Sequence, residues 1–240
     1  FTFLSSNLIN FFSIKSINIV HIILSIIYSI SIFLICKKNF SNYFSQRILI
    51  LWFSFLLIIF HEKSFSYGVA GQYILNEAYQ PSTFGVLLIL SIACFGHSKF
   101  YSAIFLAILS AALHPTYLIQ AFFLISGYMI FFLYQREFKK IIKYSFFSLI
   151  LVFPIVFFIY NNFIIFDPIA NYEAQKIQAE IRIPHHAMAK IWFSYKDFQS
   201  LLIIVLSLVV IFKNKRFFIP LTFVFLISLI LTIIQYYNSN

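Results

Sequence analysis

The sequence predicts an all-α fold, a polytopic bundle of about eight transmembrane helices, and two observations carry that prediction. Hydrophobic residues make up 62% of the 240 residues and charged residues 10%, whereas soluble chains average about 45–50% apolar and about 25% charged residues. The apolar residues also form runs separated by short charged clusters, as expected where each helix must satisfy its own backbone in lipid. We therefore expect a single membrane domain over 1–240. Because the chain opens with Phe1 rather than Met, we expect that domain to be part of a longer protein.

Eight apolar runs are the predicted spans. Each is bounded by basic or polar residues. The longer runs suit a hydrocarbon core about 30 Å thick, whereas the two runs on either side of His114 are short. The runs are Ser16–Cys36, Phe44–Phe60, Thr83–Gly96, Phe100–Leu113, Tyr117–Tyr134, Tyr144–Tyr160, Phe198–Phe212 and Phe217–Tyr236. Both cysteines, Cys36 and Cys94, lie inside such runs, so we expect thiols that pack as small apolar groups.

The pair His114-Pro115 is predicted to reverse the chain. As one helix, the stretch 100–134 would be about 52 Å long at roughly 1.5 Å per residue, too long for the hydrocarbon core. Lys99 and Arg136, which flank the stretch, belong on the same side of the membrane. Since a proline disfavours a helical residue before it, this pair is the available break.

The stretch 161–196 is the one long polar interruption of the chain. Asp167-Pro168 is a typical helix start, with a capping carboxylate followed by proline at the first helical position. Apolar residues then recur at helical spacing until Pro184 ends the pattern. We expect a short extracytoplasmic helix from about 168 to 182, lying at the membrane interface.

The basic residues predict the orientation of the protein. In the predicted topology, the loops on one side carry the whole net charge of +10, and the loops on the other side are neutral. Because Lys and Arg concentrate in cytoplasmic loops, we expect 161–196 to be extracytoplasmic and the protein to lie in a bacterial inner (plasma) membrane. The lipid bilayer then accounts for the high pI of about 9.6, and no nucleic-acid partner is predicted.

Polar groups of the predicted outer loops lie close to hydrocarbon, where they are unfavourable and often functional. Glu77 is a lone carboxylate in a short, mostly uncharged loop just before a span. His114 occupies the forced turn. Its ring is either a functional group or a partner for the backbone carbonyls that Pro115 frees, and the sequence leaves both interpretations open.

Arg182, His185 and His186 form the densest group of hydrogen-bond donors outside the spans. Arginine suits bidentate binding of phosphate, and the histidines can donate beside it or move protons. A metal site is not predicted, because adjacent residues point in different directions and cannot readily chelate one ion. The sequence has no metal-ligating spacing, no Gly-rich phosphate loop and no serine-nucleophile elbow, so we expect no cofactor.

Four elements of 73–118 occur in an order that resembles a known class. They are the end of an outer loop (Gln80-Pro81-Ser82), a small basic turn (Gly96-His97-Ser98-Lys99), a span with small residues (Ala103–Ala112) and a polar turn before an aromatic residue (His114-Pro115-Thr116-Tyr117). This stretch resembles the middle of the polytopic glycosyltransferases of the GT-C class, which use polyprenyl-phosphate sugars and often carry Lys where His114 stands. The chain is also similar to uncharacterised bacterial polytopic proteins with QPS, HPTYL and RxPHH-like elements.

The resemblance implies an inverting transferase that moves a sugar from a polyprenyl-phosphate donor to an acceptor at the extracytoplasmic face. Glu77 would be the general base for the acceptor hydroxyl, with His114 beside it in the catalytic centre. Arg182, with His185 or His186, would neutralise the departing phosphate. The acidic residue that this class places in its first outer loop is not identifiable in the sequence.

Two other functions stay open at the sequence level. One is a transporter or flippase of a lipid-linked or small anionic substrate, and the other is a non-catalytic membrane subunit. An inverted repeat would favour the transporter, and an acidic motif in an upstream outer loop would favour the enzyme. For the enzyme we predict that Glu77, His114 and the turn 182–186 converge on one outward-facing cavity, where Gln80 also contacts the substrate.

Overall fold

The computed structural model describes residues 15–40, 45, 47–51, 81–163, 167–182, 188–192 and 195–238. Within these ranges the chain is helical apart from short turns and contains no strand. The predicted all-α class is therefore confirmed for the described part of the chain. The predicted span at 44–60 lies mostly outside it.

The helices follow one another with short connections. They are α1 (Lys15–Phe40), α2 (Val86–Gly96), α3 (Phe100–Leu113), α4 (Tyr117–Tyr134), α5 (Phe138–Phe163), α6 (Pro168–Lys176), α7 (Ala189–Trp192), α8 (Tyr195–Ile211) and α9 (Lys215–Asn238). A 3₁₀ turn (Pro81–Gly85) leads into α2, and a π-helical segment (Ile177–Arg182) continues α6. Residues 47–51 are also helical.

Four helices in the described part of the chain are long and apolar enough to cross a membrane, as expected of an integral membrane protein. They are Ile19–Phe40, Tyr117–Tyr134, Phe138–Asn162 and Lys215–Tyr237. The predicted spans at 83–96, 100–113 and 198–212 are shorter apolar helices. At roughly 1.5 Å per residue, a helix as short as α3 covers about 21 Å, less than the hydrocarbon core of about 30 Å. Among the described residues, four spans are supported and the predicted eight are not established.

The chain reverses at His114, as the sequence predicted. α3 ends just before this residue, and α4 begins three residues after it. Phe100 at the start of α3 contacts Phe132 near the end of α4, with ring centroids 5.0 Å apart, so the two helices are antiparallel. The backbone of His114 is extended, with φ −144° and ψ 110°, which is the conformation that the following proline imposes.

The core lies where α2, α3, α4 and α9 pack together. Ala103, Ala107 and Ala111 recur every four residues along α3 and are fully buried. Gly127 of α4 faces Pro220 of α9 so closely that a Cβ on the glycine would lie 2.9 Å from the proline carbonyl oxygen. In lipid, hydrophobicity does not drive helices together, so such close contacts at small residues stabilise the association.

A pair of hydroxyl groups is buried in this core. The Ser91 hydroxyl of α2 donates to the Ala103 carbonyl of α3 over 2.7 Å. The Tyr128 hydroxyl of α4 lies 2.9 Å from the same Ser91 oxygen. Because the serine hydrogen is already used, the tyrosine is the donor in this second bond. The two hydrogen bonds join three helices, as polar side chains do between helices in lipid.

Two turns of one kind end α2 and α4. Each places a residue with positive φ after the helix, Ser98 (64°) and Arg136 (59°). In both turns the amide of the next residue donates over 2.9 Å to the carbonyl five residues back, which is the Schellman arrangement. This arrangement satisfies carbonyls that a helix end leaves without partners.

Both turns lie at one end of the bundle, which we call the basic end. It is defined by Lys37, Lys38, Lys99, Arg136, Lys139, Lys140, Lys143, Lys213, Lys215 and Arg216. The Asn214 amide before α9 donates to the Asn39 side chain of α1 over 3.1 Å. Arg216 donates to the Ser98 hydroxyl over 2.6 Å and to the Gly96 carbonyl over 3.3 Å. Of the basic residues that were predicted to share a side, all but Arg47 are assigned to this end.

The helix predicted at 168–182 is present with the predicted bounds. The Asp167 carboxylate accepts from the amides of Ile169 and Ala170 over 2.9 and 3.3 Å, as expected of the capping residue. No residue of α6 is buried. Its continuation is π-helical, which the sequence did not indicate. That this helix lies on the outer leaflet stays a prediction.

Candidate functional site

Most of the predicted site lies outside the described residues. The predicted residues that fall there are Glu77, Gln80, His185 and His186. Arg182 is the last residue of the π-helical segment. The predicted convergence of these side chains with His114 on one cavity therefore stays a prediction. His114 is the predicted catalytic residue whose surroundings the structure describes.

The ring of His114 is held by the turn that it begins. The Thr116 amide donates to His114 Nδ1 over 3.3 Å, and the Thr116 hydroxyl lies 2.6 Å from the same nitrogen. A backbone amide can only donate, so Nδ1 is an acceptor and the neutral ring carries its hydrogen on Nε2. The ring thus satisfies an amide of the turn and leaves an N–H group to offer to a ligand.

Partial burial of the ring lowers the pKa of His114 below the ordinary histidine value of 6.5, because burial disfavours the charged form. The ring is therefore neutral at pH 7. A neutral ring with Nδ1 occupied is suited to donate a hydrogen bond from Nε2 to a phosphate or sugar oxygen.

The 3₁₀ turn Pro81–Gly85 packs beside this histidine turn. A Cβ on Gly85 would lie 2.7 Å from the hydroxyl oxygen of Tyr117, so the glycine allows a close approach of the two segments. Thr83 and Phe84 of the same turn are buried. This contact anchors the chain that directly follows Gln80 next to the start of α4.

The short helix α7 lies at the end of the bundle that holds the His114 turn, which we call the His114 end. α9 begins beside the end of α4, since the Arg216 guanidinium lies 5.8 Å from the Phe131 ring centroid. α9 therefore finishes at the end where α4 begins. There the Lys190 ammonium of α7 lies 6.0 Å from the Tyr236 ring centroid, and Ala189 is fully buried. Residues 189–192 thus lie at the His114 end.

A groove of about 630 Å³ opens between α3, α4 and α5. Its walls are almost entirely apolar, and those toward the His114 end include Ile108, Ala111, Leu118, Phe122, Val152 and Val156. Ala111 and Leu118 stand three and four residues from His114, on either side of it. The groove therefore runs from beside the histidine turn toward the middle of the bundle.

This groove was not predicted from the sequence. Three serines line the half of the groove that is farther from His114: Ser126, Ser145 and Ser148. Ser148 is buried and donates to the Tyr144 carbonyl one turn back over 2.7 Å. Small residues on two neighbouring spans were the available signal, because they leave space where larger side chains would fill it.

No family model matches this chain, and no curated protein and no solved structure shows a significant match to it. The class that the described residues define is that of a helical integral membrane protein.

Proposed function

We propose that this protein is a membrane-embedded transferase of the GT-C type, which moves a sugar from a polyprenyl-phosphate donor to an acceptor at the extracytoplasmic face. The observation that carries the proposal is the apolar groove that ends beside the His114 turn. Its volume lies in the range of about 300–1,000 Å³ that is common for ligand sites. A polyprenyl chain is apolar along its whole length, so it matches the walls of the groove.

The mouth of the groove favours a chain with a polar head over a bulk lipid chain. Any groove at bilayer depth is filled by hydrocarbon, and apolar walls alone do not select one chain. His114 adds a hydrogen-bond donor at the mouth, because its Nδ1 is occupied by Thr116. A phosphate or sugar oxygen placed there accepts from Nε2, whereas a plain hydrocarbon chain makes no use of it.

The proposed reaction is the one that the resemblance to the GT-C class implies, with His114 at the mouth of the groove. The Glu77 carboxylate takes the proton of the acceptor hydroxyl, whose oxygen bonds to the anomeric carbon of the donor sugar. The bond from that carbon to the phosphate oxygen breaks, and polyprenyl phosphate leaves. Arg182, with His185 or His186, stabilises the charge that develops on the departing phosphate, while His114 orients an oxygen of the donor.

The binding half of this proposal is tested with a photoreactive polyprenyl phosphate in detergent or nanodiscs. We expect crosslinks on α3, α4 and α5. Ser145→Phe fills the groove and should weaken labelling about tenfold, a loss equivalent to 1.4 kcal/mol of binding free energy. Ser207→Phe on the exposed surface of α8 is the matched control. Equal labelling of both variants would remove the groove as the site.

The transfer half is tested separately by turnover. Glu77→Gln should retain donor binding and abolish transfer, whereas Arg182→Ala should weaken donor binding. Full activity of Glu77→Gln would remove Glu77 as the base. Movement of the labelled lipid across a vesicle membrane without transfer would identify a transporter instead, and binding without either activity would identify a non-catalytic subunit.

The orientation is tested with a membrane-impermeant thiol reagent. Cysteines placed at Lys139 and Gln178 should label from opposite sides, because the basic end is proposed to be cytoplasmic and 161–196 extracytoplasmic. Labelling of both from one side would contradict the proposed topology.

A further inference from the structure

The basic end carries cations where helix electrostatics do not favour them. Lys99 immediately precedes α3, Lys139 and Lys140 lie in the first turn of α5, and Lys215 and Arg216 begin α9. The N-terminus of a helix bears about half a positive charge, so acidic residues stabilise it and basic residues do not. None of these three helices has an acidic residue in its first turn. Helix stability therefore does not explain the basic residues.

These helix starts lie close together around shared aromatic rings. The Lys140 ammonium is 5.7 Å from the Phe100 ring centroid, and the Arg216 guanidinium is 5.9 Å from the same centroid. The Lys143 ammonium is 5.1 Å from the ring centroid of Tyr101. The positive ends of three helices and their basic side chains thus form one surface.

These cations differ in whether an acidic residue or a turn already holds them. Arg216 holds the Ser98 turn, and Lys140 pairs with Glu137 at 2.7 Å. Lys139 and Lys143 are exposed and have no acidic partner in the described part of the chain. They stand four residues apart, so both project from the same face of α5.

The face of α5 that carries these two lysines also carries exposed apolar side chains. Ile142 and Phe146 are 72% and 65% exposed, and helical spacing places both beside Lys139 and Lys143. The surface therefore combines two cations that lack an acidic partner with an apolar strip that leads into the membrane. That combination matches the head group and acyl chain of one lipid molecule, and neither a free anion nor a nucleic acid would use the strip.

We propose that the Lys139–Lys143 face of α5 is a binding site for an anionic phospholipid. The phosphate of the head group lies between the two ammonium groups, and an acyl chain follows Ile142 and Phe146. Basic residues next to a membrane span bind anionic head groups in this way. This site is separate from the groove, and it requires no activity of the protein.

Native mass spectrometry of the detergent-purified full chain, with equal amounts of phosphatidylglycerol and phosphatidylcholine, tests the site. The wild type should retain phosphatidylglycerol in preference to phosphatidylcholine by roughly tenfold to thirtyfold, the effect of two lysines near a head group. The double variant Lys139→Gln/Lys143→Gln should retain the two lipids nearly equally. The double variant Lys139→Arg/Lys143→Arg should keep the preference, because it keeps both charges.

The matched control removes two positive charges from 161–196 instead. Lys176→Gln/Lys190→Gln changes the net charge equally and should leave the preference unchanged. Equal retention of both lipids by the wild type, or the same loss in this control, would overturn the site. Millimolar inorganic phosphate should not displace the lipid, because it lacks the acyl chain. Displacement would mean that a free phosphate, not a lipid, is the ligand.

Discussion

α4 and α5 are consecutive apolar helices with opposite surroundings. α5 is the longer and the more hydrophobic of the two, yet only 6% of its span is buried, against 33% for α4. α4 contributes Ala121, Gly127 and Tyr128 to the packed core, whereas α5 contains no glycine and no alanine. The difference shows that hydrophobicity decides which segments enter the membrane, and small residues decide which of them pack against protein.

The same substitution on these two helices should have very different costs. Phe132 of α4 is 1% exposed, and Phe153 of α5 is 68% exposed. Phe132→Ala should lower the free energy of unfolding by about 3–5 kcal/mol, because it leaves a cavity among packed rings. Phe153→Ala removes a side chain that faces lipid and leaves no cavity in the protein. It should lower the free energy of unfolding by less than about 0.5 kcal/mol. Reversible unfolding in mixed micelles measures both values, and equal costs would contradict the comparison.

The close contact of α4 with α9 can be broken by a small increase in volume. Gly127→Val places a side chain 2.9 to 3.0 Å from backbone atoms of Pro220, and the backbone cannot rotate away. We expect a loss of about 1–3 kcal/mol, as for other overpacked cores. Ala112→Val, on the exposed side of α3, is the control and should be nearly neutral. A tolerated Gly127→Val would show that the two helices are not in close contact.

The buried hydroxyl pair gives a smaller and more specific effect. Ser91→Ala removes the acceptor of the Tyr128 hydroxyl and should cost about 1–2 kcal/mol, because a buried donor loses its partner. Adding Tyr128→Phe should recover part of this loss, since the unsatisfied hydroxyl is then gone. In the same unfolding assay, strictly additive losses would show that the two hydroxyl groups do not interact.

The sequence predicts those features of the fold that depend on local chemistry or on charge. The reversal at His114 follows from Pro115 and from the shared side of the flanking basic residues, and the start of α6 follows from Asp167-Pro168. The pairing of α4 with α9 could not be predicted. It depends on how far each helix rotates about its axis, and nearly every position of both helices is apolar.

The sequence could single out individual residues of the candidate site, but not the space around them. His114 stood out because a polar residue at a forced turn near hydrocarbon is rare. The groove was not predicted, because small residues on neighbouring spans were its one signal and its space depends on how α3, α4 and α5 pack together. The exposed lysines of α5 appeared in the sequence only as a charge count. Their lack of acidic partners depends on where the fold places the acidic residues.

The smallest expected effect concerns His114, where the packed helices α3 and α4 meet the mouth of the groove. Burial holds the pKa of its ring below the ordinary value of 6.5, so the folded protein binds this proton less readily than the unfolded chain does. Any stability from the neutral ring is complete above pH 6.5 and is lost as the pH falls through the folded pKa. Because the ring is only partly buried, screening keeps the change small.

His114→Asn isolates this effect, because asparagine can still accept from the Thr116 amide without titrating. Between pH 7.5 and pH 5.5, roughly one unit to either side of the ordinary histidine pKa, the wild type should lose stability relative to this variant. Parallel pH profiles would contradict the lowered pKa. A wild type that instead gains stability at low pH would show that an anion raises the pKa of the ring. In that case the double variant His114→Asn/Glu77→Gln would show whether the anion is the Glu77 carboxylate, as the predicted shared cavity requires.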